Sequence, residues 1–388
     1  MGPDLDPVII AGAVRTPMGG FQGALAGTPA TGLGAAAVAA TLARGRAEAG
    51  SVDQVFMGCV LPAGLGQAPA RQAAIGGGLP VGVGTTTVNK VCGSGMMAAM
   101  MAADSIRAGS AEIVVAGGME SMSNAPYLLA KARRGYRMGH GQLIDHMFLD
   151  ALEDAYDKGR SMGSFAEDTA SHYQFTRGEQ DAYALESLRR ASQAIATAAF
   201  ADETVAVGDV AVDEQPGLAR PEKIPQLRPA FREGGTVTAA SSASISDGAA
   251  AMTLARLSVA ERRGIAPLAV LRGAASYAGA PALFTTAPVF AIRRLLERLG
   301  WSVPEVDLFE INEAFAVVPM AAMRELDIPH DRLNVHGGAC ALGHPLGCSG
   351  GRIVVTLIHA LRRTGGRRGV AAICIGGGEA TAVAVELI

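Results

Sequence analysis

The chain repeats itself, and this limits its architecture more than any single motif does. VDQVFMGCV, starting at Val52, returns as VDLFEINEA at Val306, 254 residues later. CGSGMMAAMMAADSIRAG, with Ser94 and Gly95, returns as GCSGGRIVVTLIHALRRTGG, with Ser349 and Gly350, at an offset of 255. Each stretch leads into an apolar run closed by glycines and a glutamate: AEIVVAGGME ends at Glu120 and GVAAICIGGGE at Glu379. Three matching signals in one order define a duplicated α/β unit.

Each copy reads strand, helix, strand, loop, strand, helix, strand. In the first copy PVIIAGAVRT, DQVFMGCVL, TTTVNKV and AEIVVAG are strands, and GLGAAAVAATLARGRAEAG and ARQAAIGGG are helices. Such continuous apolar strands suit a sheet covered on both faces, with parallel right-handed connections. The second copy passes straight from GGGE into a last strand, ATAVAVELI, whereas its first-copy equivalent, GAAAMTLARL, comes only near residue 250. Residues 121–246 therefore read as an insertion, polar and irregular apart from the amphipathic helix RGEQDAYALESLRRASQAIATAAF. Insertions of that length carry substrate contacts.

Composition narrows the function. At 388 residues, 49 % hydrophobic but only 5 % aromatic and with 50 glycines, the core is built from small aliphatic side chains in close layers. A net charge of −3 gives no basic face for nucleic acid. No apolar run reaches the roughly 20 residues that span a bilayer, and the N-terminal stretch is expected to hold no leader. Five cysteines at irregular spacings point to reduced thiols in the cytoplasm.

If the halves pack about a pseudo-twofold axis, their matching turns meet near the middle, and those turns carry the chemistry. Cys92 lies where TTTVNKV hands over to Gly-Ser-Gly and a run of helix formers. A helix N-terminus favours thiolate, and the glycines let a substrate approach backbone N–H groups able to hold an oxyanion. The same segment also suits a buried, inert cysteine. His344, in GHP, is either a base for that thiol or a structural loop residue. A metal site with Cys340 and Cys348 would need a helix that Gly343, Pro345 and Gly347 oppose. Cys374, before IGGG, offers a second thiol for proton transfer. Asn312, in INEAFA, can hold a water or a carbonyl oxygen, with Glu313 as an orienting carboxylate. No dinucleotide or Walker glycine pattern is present, so hydride and phosphoryl chemistry have no support.

Taken together, these residues resemble the thiolase family. NKVCGSGMMA, GGMESMSNAPY, EQDAYALES, LRPAF, GTVTA with SDGAAAM, INEAFA, NVHGGACALGHPLGCSGGR and CIGGGE stand in family order over essentially the whole chain. The resemblance implies an α/β thiolase fold of two βαβαβαββ halves in a five-layered α-β-α-β-α arrangement. Residues 1–120 with 247–266 would form the first half, 267–388 the second, and 121–246 a loop domain with the coenzyme A and acyl contacts. It also implies ping-pong acyl transfer: two acetyl-CoA condensing to acetoacetyl-CoA and CoA, or thiolysis of a 3-ketoacyl-CoA, within fatty-acid and lipid metabolism. By motif match Cys92 takes the acyl group as a thioester, activated by His344. Cys374 removes the α-proton of the incoming acetyl-CoA, or protonates the leaving carbanion in reverse. One oxyanion site pairs His344 with a water on Asn312, and the other uses the N–H groups of Cys92 and Gly376. Leu152, Met162, Phe231, Ala239, Ser244, Ala314 and Phe315 match pantetheine or acyl-pocket positions. Coenzyme A is substrate and product, no cofactor or metal is implied, and the assembly is a homodimer or homotetramer.

Two departures bear on specificity. In the acetoacetyl-CoA branch a histidine precedes the pocket-narrowing methionine, and here Ser161 precedes Met162. That loses a hydrogen-bond partner for the thioester oxygen and admits a longer-chain 3-ketoacyl-CoA thiolase as the alternative. Ala243 occupies the position of the coenzyme-contacting serine, with Ser242 and Ser244 on either side. Among rivals, ketoacyl and hydroxymethylglutaryl-CoA synthases lack the second cysteine in a C-x-GGG turn. A non-catalytic acyl-CoA-binding relative would have lost Cys92, His344 or Cys374. A cysteine hydrolase is opposed by a second thiol in a closed apolar pocket.

Overall fold

The computed structural model describes residues 6–388, so the opening residues of the leader expectation lie outside it. Both copies of the repeat build the same strand order. In the first, β1 (Val8–Arg15), β2 (Gln54–Gly58), β3 (Gly84–Val88), β4 (Ile113–Ser121) and β5 (Ser246–Arg256) line up as β3-β2-β4-β5-β1. In the second, β6 (Pro267–Ala278), β7 (Leu308–Ile311), β8 (Arg368–Ile375) and β9 (Glu379–Leu387) line up as β7-β8-β9-β6. The missing third strand survives as one parallel bridge from Phe309 to Leu333. The two first strands pair antiparallel, Ile9 with Val270 and Ile10 with Ala269, and join the half-sheets.

The sheet is mixed rather than wholly parallel. β2 runs parallel to β3 and β4, and β7 parallel to β8, but β5 and β9 are antiparallel to both neighbours. For β9 the reason is the direct Ile375–Glu379 turn, because so short a connection can join only antiparallel strands. Gly377 and Gly378, at φ +96° and +90°, supply its left-handed backbone.

Three apolar clusters divide the helices into layers. Helices α1 (Ala30–Gly45) and α2 (Pro69–Gly76) cover the outer face of the first half-sheet. Later in the chain, α6 (Ala287–Leu299) and α7 (Val317–Leu326) cover the outer face of the second. Between the half-sheets lie α3 (Ser94–Arg107) and α8 (Leu346–Thr364), which are the helices of the repeat, giving α-β-α-β-α. Those two pack backbone to backbone. A β-carbon on Gly95 would lie 2.8 Å from the Gly351 nitrogen, and one on Gly350 2.6 Å from the Met96 nitrogen. The repeated Ser-Gly pair is thus a close-approach requirement.

The segment between Ser121 and Ser246 carries α4 (Met162–Tyr173) and α5 (Arg177–Ala196). α5 starts at a reciprocal Thr176–Glu179 capping box. It stops at Ala196 rather than running through Phe200, and α1 stops at Gly45, where Arg46 turns left-handed at φ +55°. Among the described residues no helix is long and apolar enough to cross a membrane.

Candidate active site

The turn from β3 into α3 is locked before the cysteine is reached. Val91 sits at φ +46°, a costly conformation for a β-branched residue. Asn89 Oδ1 accepts the Val91 N–H at 3.0 Å. Ser94 Oγ accepts the Lys90 N–H at 2.8 Å and donates to the Val91 carbonyl at 2.6 Å. These bonds hold Cys92 at the corner, with the N–H groups of Gly376 and of Cys92 itself near enough to its sulfur to favour the thiolate. The first comes from the second half, so both halves meet at this thiol.

The second half supplies the other groups. His344 follows Gly343, at φ +102°, just before α8. Its Nδ1 lies 2.6 Å from Ser349 Oγ, whose own proton goes to the Pro345 carbonyl at 2.9 Å. Nδ1 therefore carries the ring proton and Nε2 presents a lone pair, 3.5 Å from Asn312 Nδ2. Burial, and secondarily Arg352, hold His344 down to about 3, so it is neutral. Asn312 Oδ1 is buried without a partner among the described residues, an acceptor open to a water or substrate group. Cys374, at the buried end of β8, is pushed well above the usual thiol range by burial and by the nearby Cys92.

One expectation is corrected here. The helix end was expected to lower the Cys92 pKa, yet burial pushes it up to about 11, with Glu120 adding to the rise. The nearby N–H groups of Gly376 and Cys92 oppose this without overcoming it. Desolvation of the anion outweighs a partial charge at a helix end. The resting pair is thus thiol and neutral imidazole.

Most of the expected substrate residues surround these groups. Leu152 and Cys92 each pack against the small apolar cluster that includes Leu346. Met162 begins α4 and stands over Gly376, where a β-carbon would be 3.5 Å from its sulfur. Phe231 meets Phe315 edge-on at 5.8 Å. A backbone ladder docks the end of the insertion on the catalytic turns: Ala316 N–H to Ser241 O, Ala243 N–H to Ala314 O, and His344 N–H to Ser244 O, at 2.8–3.0 Å. Ala239 is exposed just before this ladder and is not drawn into the cluster. Ser161 precedes α4 and places no side-chain cap on it.

One contributor was not expected, and Glu313, expected to orient Asn312, gains partners from elsewhere in the chain. Ser349 sets the His344 tautomer, and its repetition as Ser94 was the available signal. Glu313 is held by Tyr183 Oη, Ser187 Oγ, Asn334 Nδ2 and the Cys340 N–H at 2.7–3.0 Å, which fastens α5 beneath Asn312. Those donors lie far apart in sequence, and no local pattern announced them.

Comparison with known proteins agrees with this geometry. The family model for the thiolase N-terminal domain matches residues 8–258, and that for the thiolase C-terminal domain matches residues 265–387. Acetyl-CoA acetyltransferase 2 of Arabidopsis thaliana is 49 % identical, over 98 % of this chain and 97 % of its own. An acetyl-CoA acetyltransferase of Pseudomonas aeruginosa is 47 % identical, over 98 % and 99 %. The crystal structure of the Acat5 thiolase from Ascaris suum in complex with coenzyme A superposes with a TM-score of 0.94 at 43 % identity, covering 98 % of this chain and 100 % of that one. With both family models matched end to end along a duplicated five-layered fold, the chain belongs to the thiolase family.

Proposed function

We propose that this protein is an acetyl-CoA C-acetyltransferase that interconverts two acetyl-CoA with acetoacetyl-CoA and CoA by ping-pong chemistry at Cys92. The observation that carries this reading is that Cys92 of the first half has beside it the buried thiol Cys374 of the second, the half in which His344 is set by Ser349 and reaches Asn312.

In thiolysis the Cys92 proton passes to His344 Nε2 as sulfur attacks the 3-keto carbon of acetoacetyl-CoA. The bond between C2 and C3 then breaks, leaving acetyl-Cys92 and the enolate of acetyl-CoA. Cys374 protonates that enolate to give the first acetyl-CoA, and its thiolate then takes the proton of the incoming CoA thiol. The CoA sulfur attacks acetyl-Cys92 to give a second acetyl-CoA, while the departing Cys92 thiolate recovers its proton from His344. The Cys92 and Gly376 N–H groups stabilise the oxyanion at the thioester carbon. His344, with a water on Asn312, stabilises the enolate oxygen. Burial suits this division, because thiols held as neutral acids donate protons instead of reacting unprompted with electrophiles. Leu152, Met162, Phe231, Ser244, Ala314 and Phe315 then line the acyl and pantetheine path, with Ala239 at its rim. The cytoplasm, fatty-acid metabolism and a dimer or tetramer complete the proposal, fitting five free cysteines and the exposed edge strand β3.

Acetoacetyl-CoA mixed with free CoA and the protein tests the reading. Loss of enolate absorbance with formation of acetyl-CoA is expected; no loss with folded, reduced protein would sink it. A panel of longer 3-ketoacyl-CoAs then reads whether Ser161 has widened the acyl pocket.

A further inference from the structure

The two glutamates that close the repeated runs both reach across the molecule. Glu120, at the end of β4, accepts the Gly347 N–H of α8 at 2.8 Å through Oε2. The same oxygen accepts the Val60 N–H at 3.0 Å, while Oε1 accepts the Leu61 N–H at 3.1 Å and has Cys59 Sγ 3.7 Å away. Glu379 reaches the opposite way, from the second half to Lys90, two residues before Cys92. At the repeat's offset of 255, Gly347 occupies the place of Cys92.

What Glu120 joins is specific. α8 starts from Pro345 with no side-chain cap, so its first N–H groups need acceptors from elsewhere. Glu120 supplies one, and because burial lifts its carboxyl to about 7 its charge at the positive helix end is fully present only above neutral pH. His344 lies immediately before that cap. On the other side Val60 and Leu61 belong to the apolar cluster against which Cys92 and Leu152 pack. Glu120 itself is fully buried, and among the described residues no lysine or arginine pairs with it. Burying an unpaired carboxylate is expensive, and an apolar side chain would fill the volume at lower cost.

We propose that Glu120 is a positioning residue that fixes the helix behind His344 against the floor beneath Cys92, keeping base and thiol from opposite halves in register. This rests on the reading of Cys92 as nucleophile and His344 as base. The titratable groups that face Glu120 are Cys59, Cys92 and Cys348, each held up in part by its charge.

The test uses the full chain with Glu120→Gln and Glu120→Asp, measuring kcat and KM for acetoacetyl-CoA thiolysis. The pH profile of Cys92 alkylation by iodoacetamide is read alongside by peptide mass spectrometry. Glutamine keeps the shape, removes the charge and turns an amide N–H₂ toward backbone donors. Aspartate keeps the charge and loses the reach. Both should lower kcat by about 10- to 100-fold, with KM within about threefold of the unmutated protein. The alkylation midpoint should move to lower pH in the glutamine variant, because an anion that opposed the thiolate is gone, and stay in place for aspartate. A folded glutamine variant with kcat within threefold of the unmutated protein, or a loss confined to melting temperature, overturns the proposal. If glutamine prevents folding, the aspartate variant decides on the same kcat criterion. Failure of the unmutated protein to turn over acetoacetyl-CoA would instead reject the functional reading, a separate outcome.

Discussion

The two halves share a strand order and a central helix, yet they contribute different chemistry. Where the first half has Cys92, the second has Gly347; where the second has His344, the first has Asn89. Asn312 corresponds to Gly58, at which a β-carbon would lie only 2.7 Å from the Gly347 carbonyl. The packing of α8 leaves no room there for a second asparagine. Residues alike in both copies, Ser94 with Ser349 and Glu120 with Glu379, hold turns and helices in place. Duplication thus preserved the scaffold twice and the reactive groups once, which is how a pseudo-symmetric molecule comes to have one site with divided labour.

The largest expected effect breaks this division at its centre. Cys92→Ala should give no acyl-enzyme by intact-mass spectrometry, with turnover falling by roughly 10⁴-fold or more, as loss of a nucleophile does. Cys374→Ala should still be acylated from acetyl-CoA but fail to condense, because proton transfer at the α-carbon is lost while the first half-reaction is intact. Equal behaviour of the two variants would show that the halves do not divide the chemistry as assigned.

A second asymmetry lies outside the site. β1 ends in Arg15, fully buried, whose guanidinium forks onto Asp213 at 2.7 and 2.8 Å and bonds Glu203 through Nε. This pins the insertion to the first half, and the corresponding strand β6 ends without such a clamp, at Ala278. Asp213→Ala removes the fork and leaves Arg15 with Glu203 as its one carboxylate, and urea unfolding should lose about 1.5–3 kcal/mol. A loss below about 1 kcal/mol would mean that the insertion is held mainly by other contacts.

Legibility in the sequence followed the same line between local and distant causes. The offset near 255 revealed the duplicated topology because strand and helix periodicity are local, and the Ser-Gly turns with Cys92 and His344 were visible in their own segments. The third strand of the second half was not, since HDRLNVHGG forms only the bridge at Leu333 before Asn334 turns left-handed at φ +47°. Nor could the insertion's ladder onto Ala314 and His344 be seen, because each bond joins segments many residues apart. The Cys92 expectation failed for the same reason. A helix end is a local fact, whereas the desolvation that raises the thiol comes from the whole surrounding fold.

The smallest effect sharpens the contrast between the repeated glutamates. Glu120 is buried, while Glu379 is about a third exposed and its partner Lys90 about a quarter. An ion pair reached by water is worth at most about 1 kcal/mol and weakens with salt. Glu379→Gln should therefore lower unfolding free energy by under about 1 kcal/mol, less still at high ionic strength, and leave kcat within about twofold. The two ties cross the halves in opposite directions, one to backbone N–H groups out of reach of water and the other to a lysine within it. A kcat loss for Glu379→Gln as large as that for Glu120→Gln would mean that spanning the halves, rather than burial, makes such a tie matter.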